Sequence, residues 1–470
     1  MTDEVAARPA RTVDGGGLLA AAVISAVVFV LSWLRHRNHW SGFDLAIFDQ
    51  GSWQLSEGRS HISIVERHVL ADHLSPVIYV FGWLYRLVAT PAWLLGGQAL
   101  ALGVTVLPLR AIARHVGQPP GRATVLLVLS APLLAAGLFD FHPSTLAVPF
   151  LAAAVLFALQ DRPVAAAVAA TAVALCRADL APAILAIALV AAPRARWWLA
   201  GVGLASAGAA AVVPGRFGET TGWDTYFGHL GSGPLDAALH PWRVAEQLLS
   251  PDTLSVALLW VAAAGLIVVR RPRWLLAVAV AGLPVLLSQW EGTGLPWYHY
   301  GAPAAPIAVA GTLVALAAVP PMARSWERRA RLAWWGAPLV VLLVASPLSP
   351  AAPESNRIWT VAFGTDGRDV DGALALVPAG VAVTADQRVL PHLSGREHAY
   401  IYPIPFAPAP DFFPAGSEPD LDAYGDDAVD VVVATEGHED LVPAGRFEVV
   451  ARLDGFVVFR RSAAGEDDDR

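Results

Sequence analysis

Long apolar segments alternate along residues 1–350 with short polar ones, and this alternation is the dominant pattern of the chain. The first segment, residues 17–34, has 18 residues and no charged side chain. At a rise of about 1.5 Å per residue it covers about 27 Å, close to the thickness of the hydrocarbon core of a bilayer. Similar segments predict about eleven membrane-spanning helices, the others at residues 92–109, 123–139, 145–160, 163–176, 181–193, 197–213, 253–269, 274–290, 301–320 and 333–348.

The loops between these segments form two alternating sets. One set is short and rich in arginine, as the positive-inside rule expects of cytoplasmic loops; it comprises residues 110–122, 160–162, 194–196, 270–273 and 324–331. The other set is longer and begins with residues 35–91, so we expect a cytoplasmic N-terminus and an extracytoplasmic C-terminal region. Residues 75–89 are apolar but interrupted, and we expect an interfacial helix on the outer membrane surface with Trp83 and Tyr85 at headgroup level.

The pattern changes after residue 350. Short β-type runs at residues 380–384, 398–402, 429–435 and 447–460 are separated by Gly, Pro and Asp, and helices are expected near 370–376 and 388–393. This alternation predicts a small extracytoplasmic α/β domain over residues 351–470, following a transmembrane domain over residues 1–350. The acidic end of the chain is expected to be disordered.

The composition indicates that one part of the chain lies in lipid and another part in water. Hydrophobic residues make up 55% of the sequence and charged residues only 15%, well below the roughly 25% typical of soluble proteins. The formal charge is +5 over the first 350 residues and −13 over the remainder. These values favour the lipid bilayer as a partner. Nucleic acid is an unsuitable partner, because the sequence has no stripe of basic residues interleaved with aromatic ones.

Candidate chemistry collects at the predicted outer ends of the helices, because the predicted spans contain no Asp, Glu, His or Arg. This distribution disfavours ion-coupled transport, which needs such groups near the bilayer midplane. In the first outer loop, Asp44 and Asp49 would diverge by about 140° on a helix. A carboxylate held there could act as a general base toward a hydroxyl or as a metal ligand. Alternatively, both acids are solvated loop residues or helix caps.

The chain resembles a multi-pass membrane protein family of unknown function placed in the GT-C glycosyltransferase superfamily. The motifs that carry this resemblance are Phe43-Asp44-Leu45-Ala46-Ile47-Phe48-Asp49-Gln50, Asp72-His73-Leu74-Ser75-Pro76, Phe141-His142-Pro143 and Pro391-His392-Leu393-Ser394-Gly395-Arg396. The resemblance implies a GT-C-like helical membrane protein that uses a polyprenyl-phosphate-linked sugar on the outer face. It also implies a catalytic acid in the first outer loop, either Asp44 or Asp49, with the Asp72 motif opening a juxtamembrane helix.

Other polar corners of the predicted outer face are candidates for substrate or metal binding. Asp140 and His142 could hold a divalent cation, Mg or Mn, together with Asp44, or they could simply cap helix ends. Arg177 could bind the phosphate of a lipid carrier, or it could snorkel toward the headgroups. Further substrate-binding candidates are Arg67, Asp72, His73, and the aromatic loop residues Trp297, Tyr298 and His299, for which a membrane aromatic belt is the alternative.

We therefore expect an inverting membrane glycosyltransferase that transfers sugar from a polyprenyl phosphate to a glycan or protein acceptor at the cell envelope. Two alternatives stay open on the sequence. A lipid-linked glycan transporter or flippase would need a polar route between the spans, and a non-catalytic scaffold would need only the anchored acidic domain.

Overall fold

A computed structural model describes residues 14–71, 74–217, 223–318, 324–365, 367–413, 419–425 and 427–462 of the 470-residue chain. Helices dominate it, and a small sheet follows near the C-terminus. Up to Val212, the described residues form eleven α-helices: α1 Gly15–Arg37, α2 Phe43–Ser56, α3 Ile78–Tyr85, α4 Ala92–Val104, α5 Val106–His115, α6 Pro120–Val128, α7 Ala131–Leu138, α8 Pro143–Leu159, α9 Pro163–Cys176, α10 Ala181–Val190 and α11 Pro193–Val212.

The second half of the body contains shorter helices between longer ones. These are α12 Trp223–Phe227, α13 Pro234–Leu239, α14 Pro241–Leu248, α15 Pro251–Ala263, α16 Pro272–Ala281, α17 Leu283–Leu286, α18 Ala305–Ala317 and α19 Arg324–Val344, followed by α20 Ile358–Phe363 and α21 Val370–Ala375. Every segment predicted to span the membrane thus coincides with a helix or a pair of consecutive helices.

By length and composition, three helices of the described chain could each cross a membrane: Gly15–Arg37, Ala92–His115 and Pro193–Phe217. A fourth would be the pair α6 and α7, which is bent by 57° at the break between the two helices. The remaining apolar helices have 10–17 residues. The predicted number of about eleven crossings therefore stays a prediction.

The first helix shows why the body packs tightly. Asp14 caps α1 by accepting a hydrogen bond from the Gly17 N–H at 2.9 Å. Along its length α1 packs against α4, where a side chain at Gly103 would come within 2.4 Å of the Ala21 carbonyl oxygen. Small residues at such a contact let two helix backbones approach closely, which is a common way for helices to associate in membranes.

The two ends of α1 meet different loops. At its start, Asp14 accepts hydrogen bonds from Arg110 and Arg114 at 2.6–2.9 Å. At its end, Arg35 forms a buried ion pair with Asp140. We call these the Asp14 end and the Arg35 end of the bundle. The arginines Arg110 and Arg114 of α5 therefore lie at the opposite end of α1 from Arg35 and Asp140.

The segment after α1 folds over the Arg35 end. It consists of α2, a hairpin of β1 His61–Ile62 and β2 Arg67–His68, and α3. The helix expected within residues 75–89 is present as α3, and Trp83 on it is 61% exposed. The expectation for Tyr85 was wrong: this side chain is only 4% exposed and points inward, because its hydroxyl donates to a buried carboxylate of α2.

The C-terminal region contains a mixed five-stranded sheet with the order β4–β3–β5–β7–β6. Its strands are β3 Val383–Ala385, β4 Ala399–Ile401, β5 Val431–Thr435, β6 Phe447–Leu453 and β7 Phe456–Arg461. Strand β3 pairs in parallel with β4 and β5, and the β6–β7 hairpin continues the sheet antiparallel to β5. Strands were therefore predicted close to their observed positions. The acidic residues 463–470, expected to be disordered, lie outside the described residues.

The sheet region docks on the segment that follows α1. Gln50 donates to the carbonyl oxygen of Arg396 at 3.2 Å, and the Ala399 N–H donates to Ser63 Oγ at 3.0 Å. Trp40 Nε1 donates to the Gly364 carbonyl oxygen at 2.8 Å. These contacts join residues more than 300 positions apart, so the C-terminal region helps to fix the loop that carries Asp44.

Candidate functional site

At the Arg35 end, Arg35, Asp140 and the Gly42 N–H form a buried polar group, which we call the bracket, and it holds the start of α2. Asp140 accepts from Arg35 through one carboxylate oxygen and from the Gly42 N–H through the other, the latter at 2.9 Å. Both charged side chains are about 95% buried. Gly42 is the N-cap of α2, and a Cβ on it would lie 3.5 Å from Asp140 Oδ2. The bracket therefore fixes where α2 begins relative to α1 and to the loop before α8.

Asp44 lies in the first turn of α2, two residues beyond this bracket, and is half-buried. A carboxylate in the first helical turn is stabilised by the unpaired backbone N–H groups and the helix dipole. Its charge also acts on the loop before α18: burial raises the pKa of both Tyr298 and Tyr300, and the neighbouring Asp44 carboxylate raises it further. Asp44 therefore lies close enough to the aromatic loop, predicted to bind substrate, for its charge to act on Tyr298 and Tyr300.

Two polar side chains from the ends of different helices meet His299 of that loop. His142, the N-cap of α8, stacks on His299 with ring centroids 3.8 Å apart and 16° between the ring planes. Arg177, at the end of α9, places Nη1 3.2 Å from each ring nitrogen of His142. His299 in turn contacts the Tyr300 ring at 4.1 Å. We call Asp44, His142, Arg177, Tyr298, His299 and Tyr300 the Arg35-end cluster.

The orientation of Arg177 is fixed by a second acid. Asp179 accepts from Nε at 2.6 Å and from Nη2 at 2.7 Å, which holds the guanidinium in a bidentate pair. Only 14% of the Arg177 side chain is exposed, against 44% for Asp179. The cation is thus turned into the cluster while its counter-ion stays accessible to water, an arrangement suited to an anionic ligand group.

An apolar crevice opens next to Tyr298. It lies between α7, α15 and α19, with Pro132, Trp260 and Val341 in its wall. A second crevice shares Pro132 and Trp260 and continues along α18. Trp297, adjacent to Tyr298, is half-buried and its Nε1 has no hydrogen-bond partner among the described residues. The aromatic loop therefore borders both the polar cluster and an apolar space between helices.

Asp49 has a different environment from Asp44 although both belong to α2. It is 5% exposed and accepts from the Tyr85 hydroxyl at 2.5 Å and from the Ser394 hydroxyl at 2.7 Å. Burial raises its pKa to about 6, and the two hydrogen bonds oppose that shift. Both carboxylate oxygens are engaged in joining α2 to α3 and to the C-terminal region. Asp44 is therefore better placed than Asp49 to contact a substrate.

The remaining predicted site residues are less closely tied to the cluster. Arg67 lies half-buried in β2, next to His68, whose ring stacks on Phe217 at 4.0 Å. Asp72 and His73 lie outside the described residues. All three stay predictions as substrate-binding residues.

The metal set of Asp44, Asp140 and His142 receives little support from the geometry. In the part of the chain that the structure describes, no three His, Cys, Asp or Glu side chains are grouped so that they could hold a metal ion. Both oxygens of Asp140 are already engaged by Arg35 and the Gly42 N–H. Metal binding by Asp44, Asp140 and His142 stays a prediction.

Sequence reasoning missed Arg35, Asp179, Tyr300 and the histidines that contact the C-terminal region. His392 stacks on His36 with centroids 4.3 Å apart, and its Nε2 lies 3.0 Å from His39 Nδ1. A cation in the last turn of a helix is usually explained by the helix dipole, so Arg35 gave no separate signal. The Pro391–Arg396 motif did give one, and its explanation is docking: Ser394 and His392 both contact the segment around α1 and α2.

Comparison with known proteins identifies a family but gives no activity. A family model described as predicted membrane protein (DUF2079) matches residues 35–409. Among solved structures, the apo crystal structure of ArnT from Cupriavidus metallidurans aligns over 96% of this chain and 98% of ArnT, with 13% sequence identity and a TM-score of 0.48. No curated protein matches.

Proposed function

The chain belongs to the DUF2079 family of predicted membrane proteins, and we propose that it is an inverting glycosyltransferase that uses a polyprenyl-phosphate-linked sugar. In this proposal the Arg35 end is the extracytoplasmic face, as the arginine-rich loops at the opposite end favour. The observation that carries the proposal is the Arg35-end cluster, in which Asp44, the held cation Arg177 and an aromatic loop come together beside an apolar crevice.

Asp44 is the general base in this mechanism. The acceptor hydroxyl oxygen attacks the anomeric carbon of the sugar from the face opposite the phosphate, and Asp44 takes the hydroxyl proton. The new carbon–oxygen bond forms as the bond to the phosphate oxygen breaks, which inverts the anomeric centre. The position of Asp44 in the first turn of α2 fixes the carboxylate on a helix, and a positioned base typically contributes about 10²–10⁴-fold to rate.

Arg177 stabilises the leaving phosphate. Negative charge grows on the phosphate as the bond to the sugar breaks, so a cation already in place lowers the barrier without reorganising during the step. The bidentate pair with Asp179 supplies that fixed position, at 2.6 and 2.7 Å. A guanidinium keeps its charge at every relevant pH and matches phosphate geometry, which suits this role better than an amine would.

The apolar crevice beside Tyr298 marks the side from which the donor lipid would approach the cluster. A polyprenyl chain needs an apolar path open to the bilayer, and the crevice between α7, α15 and α19 ends at the aromatic loop of the cluster. The rings of Trp297 and Tyr298 would stack on the sugar while the chain lies among the helices. Concave, mostly apolar sites with a few polar groups at one end are typical of such ligands.

The test is sugar transfer by purified protein in vesicles supplied with a panel of radiolabelled polyprenyl phosphate sugars and cell-envelope acceptors. We expect Asp44→Asn to lower transfer by at least about a hundredfold and Arg177→Met to lower it strongly as well. Asp161→Asn, at a loop residue that accepts from backbone N–H groups of α11, is the matched control and should stay active. Full transfer by Asp44→Asn would refute the assignment, and donor movement across the bilayer without transfer would favour a flippase.

A further inference from the structure

The segment of α13 and α14 exposes a group of large apolar side chains. These are Leu235 at 74%, Leu239 at 66%, Trp242 at 55% and, just after α14, Leu249 at 69%. Large apolar side chains scattered singly on a surface need no explanation, but a contiguous group of them does. Here they share the outward face of two consecutive helices.

The polar side chains of the same segment pair with one another. Asp236 accepts from the Ser232 N–H at 2.9 Å and pairs with His240 at 2.8 Å. Arg243 lies 3.7 Å from the same carboxylate. These charged side chains are 31–39% exposed, so their charges are compensated within the segment while the large apolar side chains beside them stay open to the surrounding medium.

Gln247 links this segment to the body of the protein. Its amide donates to Thr253 Oγ1 at 3.3 Å and to the Ser288 carbonyl oxygen at 3.5 Å. The next residue, Gln289, donates to the Tyr226 carbonyl oxygen through its backbone N–H at 2.9 Å. The segment is thus anchored at the Arg35 end, close to the aromatic loop, rather than hanging free from the bundle.

The apolar face continues onto exposed apolar side chains of the neighbouring helices α15 and α11. Along α15, directly after the segment, Leu254 is 43% and Leu258 68% exposed, and α11 before it exposes Leu204 and Val212 at 65% and 57%. Both helices belong to the apolar body of a membrane protein. The one charged side chain on the outward face of α14, Glu246, lies one turn from Trp242 and is exposed.

We propose that α13 and α14 form a helical hairpin embedded in the headgroup layer of the bilayer at the Arg35 end, with Leu235, Leu239, Trp242 and Leu249 in contact with the acyl chains. Amphipathic helices of this kind insert their apolar face about 5–10 Å below the headgroups, with tryptophan at the boundary. Through Gln247 the hairpin sets the depth at which the loop from Ser288 to Tyr300 meets the membrane. The proposal does not depend on the proposed sugar transfer.

The test uses the single cysteine of the chain, Cys176, which is buried. In a Cys176→Ala background, Leu239→Cys and Trp242→Cys are each labelled with an environment-sensitive fluorophore. The matched control is Leu441→Cys, which replaces an apolar, 39% exposed side chain in the C-terminal region. Each full-length protein is reconstituted in phosphatidylcholine–phosphatidylglycerol vesicles with or without brominated acyl chains, and monodisperse elution confirms folding.

We expect labels at positions 239 and 242 to shift their emission to shorter wavelength and to lose most of it in brominated lipid, while aqueous iodide quenches them weakly. The label at position 441 should show the opposite behaviour. Equal iodide quenching at all three positions would overturn the proposal. Protection of the labels from both iodide and brominated lipid would also overturn it if that protection disappeared when the protein was diluted with lipid, because a second copy of the chain would then cover the face. If one of the two variants misfolds, Leu235→Cys reports on the same face.

Discussion

The bracket of Asp140, Arg35 and Gly42 gives the sharpest prediction of stability. Asp140→Ala removes the counter-ion of Arg35, whose side chain is 6% exposed and whose Nε has no hydrogen-bond partner among the described residues. The cation also lies 5.7 Å from the centre of the Phe139 ring, but this contact cannot replace a full negative charge. The same substitution leaves the Gly42 N–H without its acceptor.

Breaking a buried ion pair by removing one partner typically costs about 3–5 kcal/mol of unfolding free energy, because an uncompensated charge stays buried. We expect Asp140→Ala to fall in that range and to lower the apparent melting temperature by several degrees. Asp140→Asn should cost less, since its amide oxygen can still accept from the Gly42 N–H. The double variant Arg35→Leu with Asp140→Leu should recover most of the loss, because no buried charge remains.

The assay is thermal unfolding of detergent-solubilised protein at a fixed scan rate, followed by loss of the monodisperse elution peak. Glu439→Gln is the matched control, because it breaks the exposed pair with Arg452, and exposed pairs of this kind contribute little to stability. The reasoning would be refuted if Asp140→Ala unfolded together with the wild type, or if the double variant were no more stable than Asp140→Ala.

Two further predictions concern single buried contacts. The folded-state pKa of Asp49 is raised from 3.8 to about 6, so ionisation of Asp49 opposes folding. The contribution of Asp49 to the free energy of unfolding is fully present below pH 4, and about 3 kcal/mol of it is lost as the pH rises through 6. Asp49→Asn should therefore remove this loss, seen as a smaller difference between melting temperatures at pH 4 and pH 8; an unchanged difference would contradict it. Gly103→Ala should destabilise by about 1–3 kcal/mol or more through its clash with Ala21, whereas Gly201→Ala, with nothing within 4 Å, should be neutral or stabilising; equal thermal unfolding of the two variants would be inconsistent with the packing described.

The helices of the body could be predicted from the sequence because each one is determined by its own local sequence. An apolar run bounded by proline or arginine determines its own position, as at Pro163–Cys176, where Pro at the first helical position and the predicted start coincide. The strands around Val383 and Val431 were likewise found from short β-branched runs. The number of membrane crossings could not be fixed in this way, because many apolar helices are shorter than a bilayer and their depth depends on neighbouring helices.

The contacts that build the site could not be predicted, because they join distant parts of the chain. Arg35 and Asp140 are 105 residues apart, and Gln50 reaches a carbonyl oxygen 346 residues away. Nothing in the local pattern distinguishes a cation that caps its own helix from one that pairs with a later loop. The motif around Ser394 was visible in the sequence, but only the structure shows that its partner is Asp49.

Asp44 and Asp49 illustrate how one short helix can serve two purposes. Their spacing predicted that they would diverge, and their environments do differ: Asp49 is enclosed between Tyr85 and Ser394, while the charge of Asp44 acts on Tyr298 of the aromatic loop. A buried carboxylate with two hydroxyl donors holds α2 in place, and the rigidity it provides is what a general base at the other face requires. If Asp44 acts in sugar transfer, Asp49→Asn should therefore change the rate much less than Asp44→Asn, and comparable losses in both variants would mean that α2 contributes its fold and not a base.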